Sequence, residues 1–84
     1  MTKQDKFQMA IALIEDRKSF YSEQSAWQNI RYEADDAHLS VWEERDKNDT
    51  IYNIAELTTI ATACHLNCYV SYYPYDNRTE LVML

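Results

Sequence analysis

Glycine is absent from the whole chain, and Pro74 is its only proline. Glycine is what lets a backbone close in on a phosphate or pyrophosphate, so P-loops and dinucleotide fingerprints are excluded. The same absence leaves no glycine-rich turn from which an oxyanion hole could be built. Left-handed and tight turns fall to Asn and Asp instead. The 84 residues make one domain, which at this size buries only roughly 60–65% of its unfolded surface. A hydrophobic fraction of 46% with seven tyrosines supplies a core and argues against disorder.

Acids outnumber bases 14 to 8, a net charge of −6. Such a balance repels DNA, RNA and anionic membranes, so neither nucleic acid nor membrane is expected as a direct partner. The longest nearly apolar run, Met9 to Ile14, is far short of a membrane span. No charged-then-apolar start with a small-residue cleavage site is present, and Cys64 and Cys68 are too few for a disulfide framework. The expectation is a cytoplasmic, reduced protein. The strings Asn48-Asp49-Thr50 and Asn77-Arg78-Thr79 match the glycosylation pattern, but without secretion they read as turns.

Periodicity organises the chain. Phe7, Ala10, Ile11 and Ile14 fall on one helical stripe, widened by Met9 and Leu13 and opened by a weak capping box at Thr2 and Asp5. This helix continues to about Tyr21. Residues 27–34 fit two readings, a short helix (Trp27, Ile30, Ala34) or a strand (Ile30, Tyr32, Ala34). The strand is preferred, because the turn signal Asp35-Asp36 and a second alternating run, 38–42, follow it. In that run Leu39 and Val41 share one face and His38, Ser40 and Trp42 the other. A polar connector, 43–50, leads to a second helix with Asn53 as N-cap, Glu56 closing a capping box, and Ile54, Leu57, Ile60, Ala61 and Cys64 as its buried stripe. Asn67 is the expected left-handed stop. The last segment reads as a hairpin, Cys68 to Tyr73 and Thr79 to Leu84 around the turn Pro74-Tyr75-Asp76-Asn77. Apolar residues on both of its faces suggest a central or sandwiched pair. The fold class predicted is α+β, in the order α-β-β-α-β-β, with a four-stranded antiparallel sheet and both helices on one face. Phe7, Ile11, Ile14, Leu57, Ile60 and Val70 are the predicted core.

Catalytic and metal chemistry is weakly signalled. Cys64, His65 and Cys68, with His38, contain the donors of a Cys2His2 zinc site, but not at zinc-knuckle spacing, and Cys64 lies on an apolar stripe where cysteine is usually a small hydrophobe. Cys64 and His65 are adjacent on a helix and point about 100° apart, so they do not form a nucleophile–base pair. No matched nucleophile, base and orienter can be assembled, and neither an enzyme nor a cofactor or metal is expected.

Charge and aromatics are stronger signals. Glu33, Asp35, Asp36, Glu43, Glu44, Asp46 and Asp49 place half of the 14 acids within residues 33–49, opposed there only by Arg45 and Lys47. Carboxylates spaced on a rigid edge can imitate a phosphate ladder; the plainer reading is a solvated turn and an edge charged against aggregation. Tyr69, Tyr72, Tyr73 and Tyr75 lie within seven residues, and Trp42 sits on the polar side of its strand. Tyr and Trp are rigid interface anchors; the plainer reading puts two or three of these tyrosines in the core. The acids above, with Trp42, Tyr73 and Tyr75, are the expected partner-binding residues. In size and charge the chain resembles small acidic phage-encoded antagonists such as anti-CRISPR and anti-restriction proteins, and no family-specific motif is carried over. The resemblance implies a non-enzymatic inhibitor with a basic partner such as a nuclease or CRISPR effector. The alternative is a structural or oligomerisation module, a homodimer formed through Tyr69, Tyr73 or the Thr79 to Leu84 strand.

Overall fold

The computed structural model describes residues 1–44 and 53–84. Helix α1 spans Lys3–Phe20 and helix α2 Ile54–Ala63; strands β1 (Ile30–Ala34), β2 (Leu39–Glu43), β3 (Cys68–Tyr73) and β4 (Arg78–Met83) form one antiparallel sheet. The strand order is β1-β2-β4-β3, so β4 is central and β1 and β3 are edges. This is the predicted α+β fold.

Local chemistry explains most boundaries. The capping box at α1 forms in both directions, Asp5 N–H to Thr2 Oγ1 and Thr2 N–H to Asp5 Oδ2, each 3.1 Å. The ambiguous segment divides: Ala26–Asn29 is a 3-10 turn that buries Trp27, and the strand begins at Ile30. At α2, Asn53 holds the N-cap position without a side-chain capping bond. Its N–H and Nδ2 both donate to Glu43 Oε1 at 3.0 Å, so the expected capping box gives way to a tie between β2 and the helix start.

The left-handed stop of α2 is His65 (φ 57°), two residues before the expected Asn67. Leu66 N–H bonds to Ala61 O at 2.9 Å and His65 N–H to Thr62 O at 3.1 Å, the paired bonds of a Schellman end. Burial of Leu66, 6% exposed, sets the stop there; Asn77 (φ 49°) takes the second left-handed position, in the β3–β4 turn.

The core is one cluster. Phe7, Ala10 and Ile14 of α1 and Leu57, Ile60 and Ala61 of α2 meet Ile30, Leu39, Val41, Leu81 and Met83, which alternation places on a single sheet face. Val70 does not belong to it. Val70 lies on that same face but at an edge the helices leave uncovered, and it is 52% exposed. The sandwiched-hairpin expectation therefore holds for β4 and fails for β3, whose burial pattern contains no buried residue.

Candidate functional site

The opposite sheet face carries the polar alternates: Arg31 and Glu33 on β1, Ser40 and Trp42 on β2, Arg78 and Glu80 on β4, Tyr73 on β3. A depression of about 330 Å³ lies on this face, lined by Glu33, Asp35, Ser40, Trp42, Tyr73, Asp76, Arg78 and Glu80. Leu39 stands opposite Met83, so the β1–β2 and β3–β4 turns lie at opposite ends of the sheet. Asp35 comes from one turn and Asp76 from the other, which makes the depression a groove along the strands. Four carboxylates and one guanidinium line it, a formal excess of three negative charges.

Its floor holds a cation already. The Arg78 guanidinium lies 4.3 Å from the centre of the Trp42 ring, an attractive placement over the electron-rich face. Arg78 Nε and Nη2 both approach Glu80 Oε2 at 2.7 Å, and Glu80 is 4% exposed. The guanidinium thus pairs with a nearly buried carboxylate while lying over the indole. Trp42 is half-buried, and its Nε1–H is a buried donor with no acceptor among the described residues. Asp35 is shaped by its turn: Oδ1 accepts from Ala37 N–H (2.8 Å) and His38 N–H (2.7 Å). Those two backbone bonds hold the carboxyl below its ordinary range, with His38 adding a smaller attraction.

The groove thus gathers Glu33, Asp35, Trp42 and Tyr73 from the expected partner-binding set. Asp36, Glu44 and Tyr75 are exposed outside its lining, and Glu44 pairs with Arg31 at 3.3 Å. Asp46 and Asp49 lie outside the described residues. Glu43 is a correction: it is 0% exposed and faces the core with Leu39 and Val41, where it receives Asn53. It cannot belong to an acidic surface, and continuing the period-2 alternation of β2 by one step would have shown it.

Sequence reasoning missed Ser40, Asp76, Arg78 and Glu80. Arg78-x-Glu80 is a polar alternation on a strand, but placing it beside Trp42 requires knowing that β4 pairs with β2. The plainer reading of the tyrosines, with two or three of them in the core, fails: Tyr69, Tyr72, Tyr73 and Tyr75 are 49%, 57%, 41% and 103% exposed.

Among the described residues no three His, Cys, Asp or Glu side chains are grouped to hold a metal ion, and no helix is long and apolar enough to cross a membrane. Cys64 is buried, which pushes its thiol pKa up and away from thiolate chemistry. Comparison with protein-family models, curated proteins and solved structures finds no match to this chain.

Proposed function

We propose that the chain is a non-enzymatic, cytoplasmic protein-binding domain that docks basic side chains of a nucleic-acid-handling protein, such as a nuclease or CRISPR effector, and inhibits it. The observation that carries this reading is the groove, in which Glu33, Asp35 and Asp76 surround an indole already in contact with a guanidinium. A partner's Arg or Lys meets the carboxylates of Glu33, Asp35 and Asp76 there, beside the indole that Arg78 covers. A line of carboxylates along the strands competes for a surface that otherwise holds phosphates.

The test is binding of a labelled oligo-arginine peptide, followed by anisotropy and by tryptophan fluorescence. Glu33→Lys with Asp76→Lys is expected to weaken binding at least tenfold at low salt. Asp16→Lys with Glu23→Lys makes the same net-charge change at exposed sites outside the groove and is expected to cost much less. Equal losses from the two pairs would show nonspecific charge attraction and sink the groove. The inhibitor reading is tested by nucleic-acid cleavage with a panel of CRISPR effectors and restriction nucleases. Inhibition by the parent protein and none by the Glu33→Lys/Asp76→Lys protein supports it; cleavage unaffected by the parent across the panel counts against it.

A further inference from the structure

The two edges of the sheet are finished differently. Asn67 and Leu84 exchange backbone bonds in both directions, at 3.0 and 2.9 Å. Antiparallel alternation then makes Tyr69–Val82, Ser71–Glu80 and Tyr73–Arg78 the hydrogen-bonded pairs. The N–H and C=O groups of Cys68, Val70 and Tyr72 therefore point away from β4. Among the described residues no group bonds to them. The strand CYVSYY has no charge, no proline and no bulge, the devices that ordinarily blunt an edge.

We propose that β3 is a self-association edge, on which a second copy of the chain lays its own β3 antiparallel about a two-fold axis at Val70. In this register Val70 faces Val70 of the other copy and the outward groups of Cys68 meet those of Tyr72, so every outward backbone group is paired. Bulk also alternates: Tyr69 stands across from Ser71, Tyr72 from Cys68. A neutral strand lets two molecules of net charge −6 meet without like charges opposed across the new ladder. The helices leave the route open, since Val70 and Tyr72 lie on the core-side face of β3 and are more than half exposed. The result is a continuous eight-stranded sheet. An axis normal to the sheet puts both acidic grooves on the same face, with the two β4 strands about 14 Å apart, three strand spacings. The pairing itself does not depend on what the groove binds.

Sedimentation equilibrium of the full chain tests it. The mass is expected to rise with concentration from 10.0 kDa to twice that value. Val70→Lys, which sets two like charges opposite each other, is expected to return it to the single-chain mass with an unchanged circular dichroism spectrum, whereas Thr62→Lys on exposed α2 leaves the doubling intact. Hydrogen exchange on the unaltered protein checks the register independently of any variant. The amides of Val70 and Tyr72 gain protection as concentration rises, while those of Tyr69, Ser71 and Tyr73 are protected throughout. A single-chain mass up to high micromolar concentration overturns the proposal. So does a dimer in which the Val70 and Tyr72 amides exchange freely.

Discussion

Strands β1 and β3 are both edges of the same sheet, both follow a helix, and both open a hairpin, yet described side chains reach an outward backbone group of the first and none of the second. On β1 the bonds Glu44 N–H to Asn29 O and Asp35 N–H to His38 O, each 2.9 Å, set the ladder so that Ile30, Tyr32 and Ala34 turn their backbone groups outward. The outward carbonyl of Ile30 is then taken by Lys18 Nζ and Arg31 Nη1, both at 3.0 Å. Beyond the strand, Gln4 of α1 reaches the Asp35 and Asp36 carbonyls at 3.4 and 3.3 Å. Helix α1 thus sits close enough to β1 for Lys18 and Gln4 to reach that edge near its two ends. Among the described residues no helix side chain bonds to the outward groups of β3. One edge is met in part from within the chain, and the other is the edge proposed above for self-association.

The largest effect that sharpens this contrast is a pair of truncations. Ile30→Ala removes a side chain that is 0% exposed and is expected to destabilise the domain by about 2–5 kcal/mol. Val70→Ala, on the other edge at 52% exposure, is expected to cost less than about 1 kcal/mol. Urea denaturation at a protein concentration low enough to keep the chain monomeric measures both, and comparable losses would erase the distinction between the two edges. A smaller effect tests the Lys18 contact itself. Lys18→Met keeps the apolar stem and removes the ammonium from the Ile30 carbonyl. The expected loss is about 1 kcal/mol, because the Arg31 guanidinium still bonds there. A variant as stable as the parent would mean the Lys18 bond is incidental to the edge.

The same contrast marks what the sequence could reveal. Two helices, two hairpins and their order were legible, because the helical stripe of Phe7, Ala10 and Ile14 and the alternation of Leu39 and Val41 are local signals. Strand order is not local. The placing of β4 at the centre buries Val82, 2% exposed, on the face away from the core cluster and strands Val70 at the rim; both are β-branched apolar residues in similar runs, so composition could not separate them. Half of the groove was legible for the same reason. Glu33, Asp35 and Trp42 belong to one hairpin, whereas Asp76, Arg78 and Glu80 arrive through the β2–β4 pairing. His65 shows a third limit: a residue with a modest left-handed preference takes the stop because its neighbour Leu66 must be buried.

The smallest effect reads the β1 edge through its own tyrosine. Tyr32 of β1 donates its hydroxyl to Glu15 Oε1 of α1 at 2.6 Å, while the hydroxyl of Tyr72 on β3 donates only to Asn77, in its own hairpin. The bond to Glu15, helped by burial and by the carboxylate's charge, pushes the Tyr32 pKa from 10.0 up to about 12. The neutral phenol is the donor, and its ionisation would set two negative charges against each other. Because the folded value lies above the unfolded one, the stabilisation is fully present below pH 10 and is lost as pH rises from 10 toward about 12. Tyrosinate absorbance of the folded protein is expected to show one of the seven tyrosines ionising near pH 12, and that late step should be missing in Tyr32→Phe. Stability measured between pH 9 and about pH 11 is expected to fall more steeply for the parent than for Tyr32→Phe, since only the parent carries this proton linkage. Parallel stability curves for the two proteins would show that the Tyr32–Glu15 bond does not hold β1 to α1, and the edge would then depend on Lys18 and Arg31 alone.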